Sequence, residues 1–224
     1  MKRLIFLLLA FVSLTVSGQS VVRRLSPSTV ARDSVAGSQH IKFMGMPVDG
    51  TLASFSKEMA KKGFDYQGRE VFDGTHSDAY RGRFAGYEGC TVRLMSAPEI
   101  NKVYSVVVAF PHQYQWPGLF SDYAELKKML TQKYGEPRQC TETFHTSTQP
   151  VGDLEKMACV RQNECEYKCH FEAEGGTIVL EIFHAKVAVS HFNMVLLSYI
   201  DDANAKLRAT AKGESQGRNP IDDL

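Results

Sequence analysis

Between residues 41 and 64 the chain reads IKFMGMPVDGTLASFSKEMAKKGF: a strand, a tight turn, an amphipathic helix and a glycine stop. Asp49-Gly50 is turn chemistry, because glycine enters positive φ without steric cost. Thr51 is placed to cap the helix by accepting a hydrogen bond from a free first-turn amide. Leu52, Phe55 and Met59 recur at i, i+3 and i+7, one apolar stripe at helical period. Lys57, Lys61 and Lys62 fall on or near the wet side, the last two suiting the negative end of the helix dipole. Gly63 supplies a left-handed stop, with Phe64 set to pack back on the helix. Burying three such side chains contributes roughly 5–8 kcal/mol, which is less than the cost of ordering about a dozen residues. The helix therefore requires a sheet to lie on.

A second run of the same kind follows. Residues 104–110, YSVVVAF, form a β-branched stretch that reads as a buried strand. The loop PHQYQW leads into a helix starting near Pro117, a residue suited to a first helical turn. Leu119, Tyr123, Leu126 and Leu130 make its stripe, and Tyr134-Gly135 with Pro137 ends it.

Further strands are expected at 66–71, 79–85, 90–96, 139–144, 165–173, 177–184 and 192–200. The segment FDGTHSD reads as a loop, Glu174-Gly175-Gly176 as a hairpin turn, and 153–159 as a short helix with Leu154, Met157 and Ala158 inward. FAGYEGCTV at 84–92 matches FEAEGGTI at 171–178, and VYSVVVAF at 103–110 matches FNMVLLSY at 192–199. These matches point to an internal duplication, with repeats at 38–111 and 112–202, each a helix followed by an antiparallel meander. The class is α+β, its helices packed on one face of the sheet.

The first residues, basic Lys2-Arg3, an apolar stretch and then small residues, have the pattern of a signal peptide ending near Gly18. Its apolar part is too short to span a bilayer comfortably, so a mature chain without a transmembrane segment, exported to the periplasm or outside the cell, is expected. Residues 19–37 read as a flexible lead-in and 203–224 as a disordered tail, too poor in apolar side chains to order itself. Without Lys2 and Arg3 the 26 basic residues become 24 against 25 acidic ones. No basic run remains, which argues against nucleic acid or an anionic membrane as partner.

The signal peptide, IKFMGMPVDGT, KKGF, FAGYEGC, VYSVVVAFP, LKKMLTQKYGEP and EGGTIVLEI together resemble a family of secreted Bacteroidetes proteins to which no activity is assigned. The resemblance covers residues 40–201 and implies export and an α+β fold. Its shared motifs are turns and helix ends, so it carries over no catalytic residue. The doubled layout is also similar to that of the β-lactamase inhibitor protein, whose curved sheet binds an enzyme, a likeness of architecture only.

Reactive chemistry is sparse. Five cysteines, Cys90, Cys140, Cys159, Cys165 and Cys169, leave at least one thiol free. Cys165 and Cys169 on one strand lie roughly 13 Å apart, too far for a disulfide with each other or a shared metal. A bridge from Cys140 to Cys165 or to Cys169 across neighbouring strands fits; so do buried, unbonded thiols. Gly213-Glu-Ser215-Gln-Gly217 matches G-x-S-x-G but lacks the strand and helix of a nucleophile elbow. Cys169 and His170, as strand neighbours, face opposite sides. His184 and His191 flank a hairpin loop as two metal ligands without a third. No phosphate loop, H-E-x-x-H or calcium loop occurs, and no cofactor is expected.

The loop FPHQYQWPGLF at 110–120 carries the binding expectation, through His112, Tyr114, Trp116 and Phe120. Aromatic rings on a loop offer large contact area with few rotors to freeze. Against this, Trp116 and Phe120 can simply seal the helix entry, leaving Tyr114 as the exposed ring. The resulting expectation is a non-enzymatic module that binds a protein, glycan or envelope component. A periplasmic or secreted hydrolase with a dispersed site is the alternative, and would show a histidine beside a carboxylate or cysteine in a deep pocket.

Overall fold

The computed structural model describes residues 39–72 and 75–217, with side chains through 212. The signal peptide and lead-in expected at 1–37 lie outside the described residues. A two-stranded hairpin, β1 (Lys42–Phe43) and β2 (Met46–Pro47), leads into α1 (Leu52–Lys61). Four strands follow: β3 (Asp65–Phe72), β4 (Thr75–Phe84), β5 (Tyr87–Ala97) and β6 (Lys102–Ala109). Then come α2 (Trp116–Tyr134), β7 (Gln139–Phe144), α3 (Asp153–Arg161), β8 (Cys165–Ala173), β9 (Gly176–Val187), β10 (Ser190–Asp201) and α4 (Asp202–Gly217). The eight longer strands form one antiparallel sheet in the order β3-β4-β5-β6-β10-β9-β8-β7. The class is α+β. Among the described residues no helix is long and apolar enough to cross a membrane.

Each half thus runs from a helix into four strands, with α3 added in the second half between β7 and β8. The matched sequence segments occupy corresponding places: one pair spans the β4–β5 and β8–β9 turns, and the other forms β6 and β10, which meet at the centre of the sheet.

Local chemistry sets the helices as expected. Thr51 Oγ1 accepts from the Ser54 amide at 3.2 Å. At the far end Gly63 takes φ +79° and the Phe64 amide bonds Met59 O at 3.1 Å, satisfying a carbonyl the helix leaves free. Leu52, Phe55 and Met59 of α1, Leu119, Tyr123, Leu126 and Leu130 of α2, and Met157, Cys159 and Val160 of α3 enter one core with Val92, Leu94, Val106, Val108, Leu180 and Leu197. Three helices therefore cover the same face of the sheet.

Three expectations need correcting. Residues 75–78, expected within the loop FDGTHSD, begin β4. The inner side of α3 is Met157, Cys159 and Val160, while Leu154 is 88% exposed. The helix enters with Glu155 Oε2 accepting from the Val151 and Gly152 amides, and this capping rotates Leu154 outward. Residues 203–217 form α4, where a disordered tail was expected. Asp201, fully buried, caps α4 by accepting from the Asn204 amide at 2.9 Å. Asn204, also fully buried, donates through Nδ2 to Val48 O at 2.9 Å and Val103 O at 3.1 Å. Arg208 then lies over the Tyr104 ring at 4.4 Å and donates to Thr75 Oγ1. Polar anchors replace the apolar stripe that the sequence lacks.

The same knot holds the N-terminal side of the fold. Asp201 Oδ2 accepts from the Ile41 amide at 3.1 Å and pairs with His40 Nδ1 at 2.9 Å, while His40 Nε2 lies 3.2 Å from Asp49. Lys102 donates to Asp49 at 2.6 Å. Residues 39 and 40 cross the Gly175-Gly176 turn so closely that a Cβ at Gly175, already at φ +80°, meets Gln39 O and the carbonyl carbons of Gln39 and His40. Gly82 has a comparable role in the sheet, because the Phe64 ring comes within 2.5 Å of the place its Cβ would occupy. Phe64 is buried and has little room to retreat. Gly82→Val is expected to lower the unfolding free energy by about 1–3 kcal/mol in urea titrations; an unshifted midpoint would show that the ring can move aside.

Candidate functional site

The loop from Phe110 to Gln115 passes around the end of the sheet and divides the four aromatic candidates between its two sides. On the helix side Trp116, 5% exposed, stacks on Phe120 with centroids 5.5 Å apart and packs against Phe144 and Tyr167. Lys156 of α3 sits 5.9 Å from the centre of the Trp116 ring. Trp116 thus seals the helix entry, whereas Phe120 stays 41% exposed and lines a depression between α2 and β7. On the other side the His112 ring meets Tyr114 at 4.0 Å and Phe192 of β10 at 5.6 Å, and Tyr114 is 75% exposed.

Backbone pairing sets this second cluster. The Gln113 amide donates to Asn193 O at 2.8 Å, Asn193 Nδ2 donates to Gln113 O at 3.3 Å, and the Asn193 amide points at His112 Nδ1 at 3.4 Å. Burial pushes the His112 imidazole below its ordinary 6.5, so the ring is held neutral with Nδ1 as acceptor.

Phe192 is the outer member of an apolar cluster on the sheet face opposite α1, α2 and α3. Val107, Met194 and Leu196 are buried at its centre, with Met95, Ala109, Phe183, Ala185 and Phe192 partly exposed around them. Strand alternation explains it: Val106 and Val108 point to the helices, and Val107 between them points away. Charged pairs flank the cluster. Arg93, in register with Val107, bonds Glu70 at 3.0 Å on one flank, and Lys168 pairs with Glu181 at 3.1 Å on the other. The centre is already covered in the single chain, and the accessible apolar area is that of Met95, Ala109, Phe183, Ala185 and Phe192 around it. Sequence reading found Tyr114 and His112 but missed Phe183, Ala185 and Met194; the alternation in β9 and β10 was the available signal.

The other candidates separate cleanly. Cys140 and Cys169 are register partners on β7 and β8, with Cα atoms 4.0 Å apart, and form a disulfide; this is one of the two pairings expected. Cys90, Cys159 and Cys165 are free. Burial raises the Cys90 thiol to about 11 and the Cys165 thiol to about 12, and also raises Cys159, so these three are poor nucleophiles. His184 and His191 do meet, Nε2 to Nδ1 at 2.9 Å with stacked rings. Burial first, then His191, Arg161 and Lys186, lower the His184 pKa; cationic neighbours oppose a bound metal ion there.

His40 between Asp49 and Asp201 is a contact between histidine and carboxylates that sequence spacing did not show. Both acids are already bound into the knot that joins α1, β6 and α4. Two surface depressions occur elsewhere: one of about 410 Å³ between α2 and β7, and one of about 230 Å³ lined by Arg138, Gln139, His170, Phe171, Glu172 and Thr177. Neither is lined by His40, His112, His184 or a free thiol.

Comparison with protein-family models, with curated proteins and with solved structures returns no match.

His112, His170 and His184 all stand below the ordinary 6.5, in each case chiefly because burial disfavours the imidazolium. The unfolded chain then binds these protons at a higher pH than the folded one. Their contribution to stability is complete above the unfolded pKa and is lost as pH falls through the folded values. The urea midpoint should be lower at about pH 5.5 than at about pH 7.5, and His184→Gln should flatten that dependence. Equal midpoints in the unsubstituted protein would show that these rings are not held neutral.

Proposed function

We propose that this chain is an exported, non-enzymatic binding module, a doubled unit of helix and meander. Its ligand is a protein segment docking on the sheet face opposite α1–α3. The observation that carries this reading is the set of partly exposed side chains Met95, Ala109, Phe183, Ala185 and Phe192, continuous through His112 with Tyr114 at the rim. Tyr114 is three-quarters exposed on a loop held by backbone bonds, so its ring can be covered at little conformational cost. A protein is favoured over a glycan because the cluster is aliphatic and aromatic with few donors or acceptors at its centre.

Export rests on the leader pattern in residues 1–18. The hydrolase alternative calls for a histidine and carboxylate facing a cavity. The carboxylates of Asp49 and Asp201 are engaged by Lys102, by the Ile41 and Asn204 amides and by His40, and Glu172, which lines the 230 Å³ depression with His170, is engaged by Arg138 at 3.0 Å.

The test is affinity capture from envelope extract with the mature protein, followed by measurement on the purified partner. Tyr114→Ala and Ala185→Glu should each weaken binding at least about tenfold without moving the unfolding midpoint. Trp116→Ala should instead cost about 3–5 kcal/mol of stability, as a core deletion does. Unchanged capture by both surface variants sinks the proposed face, and a ligand found only on a glycan array replaces the protein reading.

A further inference from the structure

The disulfide is asymmetric in a way that matters chemically. Cys140 lies exposed on β7, the edge strand of the sheet, whereas Cys169 is fully buried on β8. The Tyr123 hydroxyl of α2, itself buried, stands 3.0 Å from Cys169 Sγ and 3.9 Å from Cys140 Sγ. A disulfide sulfur has no proton to give, so the hydroxyl is the donor, and it is shared between the sulfurs and the Glu142 carboxylate, which lies within 4.8 Å of both. Beside the bond, the 410 Å³ depression between α2 and β7 reaches Tyr123 and Glu142, the latter two residues along β7 from Cys140 on the same side of the strand. Lys127 and Lys128 line it, with Lys127 paired to Glu142 at 2.7 Å.

We propose that Cys140–Cys169 is a thiol-exchange site at which an incoming thiolate attacks Cys140 and expels the buried Cys169. As the new sulfur–sulfur bond to Cys140 forms, the Cys140–Cys169 bond breaks and its electron pair leaves on Cys169 Sγ. The incoming thiol is oxidised into a mixed disulfide and the protein disulfide is reduced. Charge arising on Cys169 forms 3.0 Å from the Tyr123 hydroxyl, which turns from Glu142 to stabilise the leaving thiolate; exchange rates depend on how readily that sulfur leaves. Cys169 can then return to Cys140 and release the first thiolate. Alternatively a second thiolate takes the first as its disulfide, leaving the protein as a dithiol.

The geometry chooses the attacked sulfur: reaching Cys169 requires opening the core, and reaching Cys140 does not. The depression beside the site carries Lys127 and Lys128 against Glu136 and Glu142, so it sets no charge preference in the incoming thiol. Burial, which raises the thiols of Cys90, Cys159 and Cys165, leaves them out of the exchange.

The probe is reduced glutathione, a peptide thiol with two carboxylates, applied to the oxidised mature protein under native conditions and followed by peptide mapping. The adduct is expected on Cys140 and on no other cysteine. Cys169→Ser has no disulfide to open, so oxidised glutathione is the probe there: the Cys140 thiolate takes one half as a mixed disulfide, reduced glutathione leaves, and with return blocked the adduct should persist on Cys140. Tyr123→Phe keeps the ring in the core and should slow opening about threefold to tenfold.

A disulfide that resists glutathione while folded and opens only in denaturant would overturn the proposal. So would an adduct on Cys169, Cys90, Cys159 or Cys165 in place of Cys140. If Cys169→Ser fails to fold, mapping of the unsubstituted protein and the Tyr123→Phe rate still decide the matter.

Discussion

Where β6 and β10 lie side by side, from Leu196 opposite Ala109 to Ile200 opposite Ser105, two four-stranded meanders become one eight-stranded sheet. The rest of the molecule follows from that seam. It gives α1 and α2, which are too short and too thinly striped to stand alone, a common floor. It also places Val107 beside Leu196 on the other side, so that one pairing builds the core on one face and the apolar cluster on the opposite one. A slip of one residue at the seam would exchange the two faces.

Elements whose cause is local were legible in the sequence. Thr51, Gly63 and the stripe of α1 act within a few residues of one another, and so do Pro117, Gly135 and the stripe of α2. Strands with alternating or β-branched runs were placed to within a few residues, and the Cys140 pairing was narrowed to two partners, of which the register picks Cys169. What escaped depends on distance along the chain. Asp201 and His40 meet across 161 residues, and no spacing rule connects them. α4 was missed because its anchors, Asn204 and Arg208, are polar, although Asp201-Asp202 before an alanine-rich run was a usable helix start. Leu154 was misplaced because the Glu155 cap, and not hydropathy, sets the rotation of α3.

The candidate surface was only partly legible, for the same reason. A loop rich in rings is visible in the sequence, but which rings it buries depends on a β10 strand about 80 residues away. Trp116 and Phe120 went to the helix entry and His112 and Tyr114 to the sheet rim, although all four fall within nine residues. Sequence proximity brought them together, and the end of the sheet divided them.

The contact of His40 with Asp201 also fixes how the domain is oriented by whatever precedes it. Residues 39 and 40, the first described, lie at the end of β10, whereas Phe192 lies near the start of that strand, nine residues back. At about 3.3 Å per residue, those two points stand roughly 30 Å apart along one rigid strand. A tether attached at residue 39 would therefore grip the domain by one end of β10 and hold the His112–Tyr114 loop out at the other.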